Sequence, residues 1–334
     1  MRPLTYILPL ALLMTFCSCR QKREFPAKKE LTNYNATAFS ATLEEKIDPG
    51  KNIIYSPSLL YAWDKLRKEL NVPLMVSKTI FPELHALNAS KSYANSLAES
   101  EYETTVIKEG FNISVTASFK KSLPYETKLK RYDDELVFNN KPVISFGTWG
   151  NDEKMAKMFR IVYYKNDSDF IISILPKDET QEIILFKKPN NSDTTLAAVL
   201  NELNAKTLLG MRERLQGDNW KYDLKEDDKI VIPVMQFNIE KRYEKMIENI
   251  VSAAATDYTV TEMKQRTAFI LDEAGAEVES EATTGEAGAA RMPESEHPKH
   301  LVFNSSFLIV LKEKDKTNPY FAMWTVNTEL MQTK

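Results

Sequence analysis

The chain has 334 residues, is 43% hydrophobic, and carries 44 Lys and Arg against 47 Asp and Glu for a formal charge of −3. This apolar content supports a large buried core and excludes global disorder, and the near balance of interspersed charges excludes a nucleic-acid surface. The cysteines, Cys17 and Cys19, stand at the extreme N-terminus, and the histidines are His85, His297 and His300; a zinc spacing such as HExxH, a thiol nucleophile in the body and a structural disulfide are thereby excluded, and no cofactor or metal is expected.

In chain order, Arg2 precedes an apolar stretch from Leu4 to Phe16, too short to span a bilayer and right for a signal-peptide core. It ends in Phe16-Cys17-Ser18-Cys19, which resembles a bacterial lipobox. Ser18 is the small residue before the cut, so residues 1–18 are expected to be removed and Cys19 to carry the lipid. The alternative is an ordinary cleaved signal with incidental cysteines. Thioether and acyl chains together would hold the protein in a bacterial envelope membrane. Residues 19–36 are expected to form the tether, polar and basic from Arg20 to Lys29.

Phe39, Leu43 and Ile47 recur at helical spacing and predict a short amphipathic helix from Thr37 to Ile47, stopped at Pro49-Gly50. Asn52 to Tyr55 predicts a strand, and Ser56-Pro57 starts a helix that runs to Leu70. Residues 71–108 read as short helices and loops. After Gly110, strands are expected at Phe111–Phe119, Pro142–Phe146, Met158–Tyr164, Phe170–Leu175 and Glu182–Phe186. Leu196–Leu215 has helical periodicity. Lys229–Ile239 reads as a strand pair interrupted at Pro233, and Tyr243, Met246, Ile247 and Ile250 predict a helix after it. Thr267–Leu271, Leu301–Phe303, Phe307–Leu311 and Tyr320–Val326 complete the strands. Many strands without strict βαβ alternation indicate an α+β layout. Lys120-Lys121 and Lys187-Lys188 read as solvated loop charges. Asp133-Asp134 and Asp227-Asp228 read as turn or surface residues, and His297 and His300 as exposed loop or edge-strand residues rather than ligands.

Several of these pieces, in this order and spacing, resemble the serpin family. Asn52-Ile-Ile-Tyr-Ser-Pro-Ser58 is similar to the opening of the family's helix beneath its central sheet, and Lys229–Ile239 to its Pro-interrupted strand segment. Thr267-Ala-Phe-Ile-Leu-Asp-Glu-Ala-Gly-Ala-Glu277 is similar to its hinge, Phe303-Asn-Ser-Ser-Phe-Leu-Ile-Val310 to the segment after the reactive loop, and Asn318–Asn327 to the terminal segment. Met323 and Thr328 replace the family's terminal Gly and Pro. Gln265 stands in the place of a histidine that helps close the central sheet, and the stretch between Leu70 and Gly110 is shorter than the family's helical region.

The resemblance implies a serpin-like α+β fold over residues 37–334, with a large central sheet, further sheets, surrounding helices and an abbreviated N-terminal helical region. It implies a reactive loop at about 274–296, a monomer, no catalytic group, and a serine or cysteine protease as partner. The hinge residues it implies are Glu273, Gly275, Ala276, Val278, Ser280 and Ala282. Counting from Glu273 places the scissile bond at Ala289-Ala290; counting back from Phe303 places it nearer Ser295, with Arg291 between. A cut after Ala289 implies elastase-like or subtilisin-like targets, and one after Arg291 trypsin-like or arginine-directed cysteine proteases.

The loop residues themselves add a pattern. Ala276, Val278, Ser280, Ala282 and Thr284 hold one parity, while Glu277, Glu279 and Glu281 hold the other. As a strand, small or apolar groups would line one face and carboxylates the other. The readings left open are a protease inhibitor that acts by cleavage and loop insertion, and a non-inhibitory serpin-fold binding protein of the envelope.

Overall fold

Apolar patterning along the chain draws twenty strands into three sheets in the computed structural model, which describes residues 24–98, 101–119, 121–189, 194–278 and 298–333. The largest, nine-stranded, holds β1 (Lys29–Glu30), β4 (Leu74–Met75), β5 (Tyr102–Glu109), β6 (Asn112–Phe119), β7 (Lys121–Pro124), β14 (Met235–Arg242), β15 (Ile250–Ala253), β16 (Thr256–Asp272) and β17 (Gly275–Val278). The seven-stranded sheet holds β2 (Thr37–Ser40), β3 (Asn52–Tyr55), β10 (Phe159–Asn166), β11 (Asp169–Ile174), β12 (Gln181–Lys187), β19 (Phe307–Glu313) and β20 (Phe321–Thr325). The third, four-stranded, holds β8 (Lys130–Phe138), β9 (Lys141–Trp149), β13 (Lys229–Pro233) and β18 (His300–Val302). The helices are α1 (Ser58–Leu70), α2 (Pro82–Ala89), α3 (Glu153–Ala156) and α4 (Leu196–Leu215). The layout is α+β, as expected.

The seven-stranded sheet is the centre of the core. Phe307 to Leu311 and Ile183 to Phe186 are buried along their whole length, which is why these segments are continuous apolar runs rather than alternating ones. Phe269 of β16 stacks on Phe321 of β20 with ring centroids 4.4 Å apart and so joins the two larger sheets. The helix α1, with Leu59, Leu60, Trp63 and Leu66 buried, packs against β5 and β6 of the nine-stranded sheet. Asn71 ends that helix in the left-handed region (φ 53°), where Asn is tolerated.

Three local expectations are corrected. Thr37–Ser40 is a strand, paired in parallel with β3 from Thr37↔Asn52 to Ser40↔Tyr55, and turns follow it. Phe39, Leu43 and Ile47 are all buried, so their spacing recorded burial and not a helix. The Glu45 carboxylate accepts the Ala41 and Thr42 amides at 3.0 and 3.2 Å and holds the turn instead. After Tyr243 there is only a three-residue 3-10 turn, Glu244–Met246; Glu248, at φ 63°, then folds the chain back into β15 against β16. Strand structure also starts before Gly110, because β5 forms a hairpin with β6 through Gly110 at φ 59°.

Residues expected in the tether lie against the domain. Lys29 and Glu30 pair in parallel with Ile239 and Glu240 of β14. Asn238 Nδ2 donates to Pro26 O at 2.9 Å, and Lys28 pairs with Glu240 at 3.1 Å. Further along, Glu329 accepts from the Asn35 amide at 2.8 Å and from the Thr37 hydroxyl at 2.6 Å.

The pair Lys187-Lys188 is buried, not solvated. Lys187 Nζ donates to Asp167 O (2.9 Å), Val302 O (2.7 Å) and Asn304 Oδ1 (2.8 Å), and Lys188 pairs with Glu202. Burial pushes the Lys187 ammonium down to about 8, against the opposing pull of the Asp167 charge. The unfolded chain keeps this proton up to the ordinary Lys range, so between about pH 8 and that range it binds more protons than the folded protein. Stability contributed at this site therefore rises with pH across that window. Denaturant titrations on either side of pH 8 are expected to show this rise in the native protein, and Lys187→Met is expected to remove it.

Candidate functional site: the hinge strand and the feet of the loop

The long strand β16 ends at Asp272, whose carboxylate accepts the Ala274 amide at 2.8 Å and fixes a tight reversal. The chain returns as β17, antiparallel to β16 (Ile270↔Glu277, Leu271↔Ala276, Asp272↔Gly275). On its other side β17 pairs with β7, from Gly275↔Pro124 to Val278↔Lys121. Farther down, β16 pairs directly and in parallel with β6, from Thr259↔Asn112 to Gln265↔Ala117. β17, where the sequence places the hinge, therefore occupies the mouth of a wedge that is closed below it.

Gly275 is required at that mouth. Its φ is 148°, and a Cβ there would lie 2.6 Å from Leu123 O and 2.8 Å from Pro124 Cα. Ala276, one residue on, is buried against the core. Val278 stands at the same parity as Ala276 and Glu277 at the opposite one. Ser280, Ala282 and the scissile candidates Ala289, Ala290 and Arg291 lie outside the described residues, as do Ser295, His297 and Cys19.

Glu273 anchors the reversal. Its carboxylate is buried and paired with Arg131 Nη1 at 3.0 Å and Lys128 Nζ at 3.2 Å, while its carbonyl accepts the Leu129 amide at 2.7 Å. Burial raises its pKa, but the hydrogen bonds from its own backbone, Lys128 and Arg131 outweigh that and hold it below the usual carboxylate range. Stability from this group is fully present above the unfolded carboxylate pKa and is lost as pH falls through the depressed folded value. Glu273→Gln is expected to cost about 1–3 kcal/mol in denaturant unfolding at neutral pH. The variant is also expected to lose less stability than the native protein on acidification below about pH 4.

Gln265 sits where β6 and β16 part. Its Nε2 donates to Ser56 O at 3.0 Å and Ser58 Oγ at 3.1 Å, and its Oε1 accepts from the buried Tyr243 hydroxyl at 2.7 Å. The sequence Ser56-Pro57-Ser58 thus does more than start α1: it ties the helix to the closed part of the sheet. The Ser56 side chain meets Ser58 Oγ at 3.4 Å and makes no helix cap.

The far end of the loop is pinned differently. Asp228, expected at the surface, is wholly buried, and Lys299 beside it is 1% exposed. Lys299 Nζ meets Asp228 Oδ2 at 2.7 Å and donates to Trp220 O at 3.3 Å; the Lys299 amide donates to Asp228 Oδ1 at 2.6 Å. The Lys225 amide also donates to Asp228 Oδ2 at 2.8 Å, so the carboxylate is fully engaged. His300 is exposed on β18, as expected, with its amide on Asp167 Oδ1 at 3.1 Å. Asp133 is exposed and meets Arg131 at 3.6 Å. The Asp228–Lys299 pair was missed in the sequence because an acid in a run of charges and a lysine after proline carry no sign of burial.

No family model matches the chain, and no curated protein matches it. Solved structures do. A serpin from Schistosoma haematobium aligns at 10% identity over 83% of this chain and 94% of that one, with a TM-score of 0.46. Thyroxine-binding globulin in complex with thyroxine aligns at 10% identity over 85% and 94%, with a TM-score of 0.44. The structural likeness is to serpins. A serpin from Schistosoma mansoni aligns at 13% identity over 66% of this chain, with a TM-score of 0.37, and the chain spans 57% of that serpin's length.

Proposed function

We propose that this chain is a serpin-type protease inhibitor, monomeric and held on a bacterial envelope membrane by lipid on Cys19. The observation that carries the reading is the placement of β17: a hinge strand already paired between β16 and β7, with Ala276 on the core side. Continued downward in the same register, Ser280, Ala282 and Thr284 share the parity of Ala276, and Glu279 and Glu281 share the opposite, outer one. The acidic face is then no obstacle to insertion, because carboxylates left in water cost little and only buried unpaired ones cost several kcal/mol.

The physical drive is an exchange of ladders. Insertion breaks the parallel β6–β16 pairing and makes a new ladder on each side of the inserted strand. An uncut loop is fixed at Lys299 and cannot travel the length of the sheet. A protease that attacks the loop forms an acyl-enzyme and releases the C-terminal side, after which the N-terminal side inserts and carries the protease with it. The chain supplies no catalytic group; it supplies a folded state kinetically held above the inserted one.

The test is incubation with serine and cysteine proteases of elastase-like, subtilisin-like and trypsin-like preference. A denaturant-resistant covalent adduct is expected, together with a rise in thermal stability of the cleaved protein, and sequencing of the released peptide locates the cut at Ala289-Ala290 or after Arg291. Cleavage with neither adduct nor stabilisation overturns the inhibitor reading in favour of a non-inhibitory binding protein. Fatty-acid labelling in cells, lost in Cys19→Ala, tests the anchor.

A further inference from the structure

The strap formed by residues 24–30 runs in a fixed direction. Because β1 is parallel to β14, with Lys29 opposite Ile239, the residues before Lys29 lead toward the Met235 end of β14. The bond from Asn238 Nδ2 to Pro26 O and the ion pair of Lys28 with Glu240 hold them on that course. Met235 pairs with Leu271, and the next residue of β16, Asp272, pairs with Gly275. The strap and the hinge strand therefore start from the same end of the large sheet. They are separated by β14 and β16, which places them roughly 15 Å apart at the usual strand spacing.

Between Cys19 and Glu24 lie only Arg20, Gln21, Lys22 and Arg23. Fully extended, these steps reach about 17 Å. Five of the ten residues from Arg20 to Lys29 are Arg or Lys, a composition attracted to anionic lipid.

We infer that the end of the molecule bearing the hinge is held facing the membrane, with phospholipid as the surface it lies against. The reactive loop is thereby presented to proteases that work at that membrane and is shielded from those in bulk solution. This rests on the proposed attachment at Cys19, but not on whether the loop inhibits.

The test bypasses both cellular lipidation and inhibition. Chain beginning at Cys19, its single cysteine, is coupled through that thiol to a maleimide phospholipid in vesicles that contain anionic lipid. The recognition sequence of one site-specific soluble protease is inserted after Gly285 in the loop or, in a second protein, after Ala254 in the exposed turn at the opposite end of β16. Coupling is expected to slow cleavage in the loop at least tenfold relative to the uncoupled protein and to leave cleavage after Ala254 within twofold. A thirty-residue Gly/Ser linker between Arg23 and Glu24 is expected to restore loop cleavage. Equal cleavage at the two sites on vesicles overturns the inference, and so does slowing that survives the linker. Failure to form a protease adduct would sink the inhibitor reading and leave this result standing.

Discussion

On the proposed inhibitor mechanism, Ala282→Arg is expected to turn the protein into a substrate that is cut without forming an adduct. In the register of β17 each residue further along the loop pairs one residue further back on β16, starting from Ile270↔Glu277. Continued without a slip, that register brings Ala282 opposite Gln265, the buried side chain bound to Ser56, Ser58 and Tyr243. An arginine there would bury a charge with no carboxylate among those partners, at a cost of several kcal/mol. Since about 1.4 kcal/mol in a barrier is tenfold in rate, insertion should fall far behind hydrolysis of the acyl-enzyme. Denaturing gels are expected to show at least a tenfold loss of adduct while the loop is still cut. Glu281→Arg, at the opposite parity, should keep the adduct. Undiminished adduct with Ala282→Arg would mean that insertion uses another register or does not occur.

Asp228→Ala should be among the most damaging substitutions outside the apolar core. It strands the Lys299 ammonium, 1% exposed, with Trp220 O as its remaining hydrogen-bond partner. Breaking a buried pair in this way costs about 3–5 kcal/mol. The loss also releases the Lys225 and Lys299 amides, so the foot of the loop at β18 should fray along with the global decrease. Equilibrium denaturation with hydrogen exchange at residues 299–302 measures both effects. The double variant Asp228→Leu with Lys299→Met should recover most of the stability, because it leaves no charge stranded. A single variant as stable as the native protein would show that Lys299 finds water or another partner.

The pattern around Gly275 could be read from the chain alone. Gly275 opens β17 at the position where a Cβ would clash, and Ala276 after it is buried, in keeping with the small residues the sequence holds at that parity. The partners that hold the hinge were not legible. Lys128 and Arg131 lie more than 140 residues before Glu273, and nothing in their local sequence distinguishes them from solvated charges. Gln265 could be placed by resemblance, but its bonds to Ser56 and Tyr243 depend on α1 passing beneath the sheet.

By itself the sequence determined the strand-rich α+β class, α1 and α4, the Pro233 interruption between β13 and β14, and the parity of the loop. Each of these is written in periodicity or in a backbone-restricting residue, and so in neighbours along the chain. Only the tertiary structure decided that Thr37–Ser40 is a strand, that Lys187, Asp228 and Lys299 are buried, and that the basic N-terminal strap is docked on β14. Whether a charge or an edge is satisfied depends on a partner distant in sequence, and local pattern holds no record of that partner.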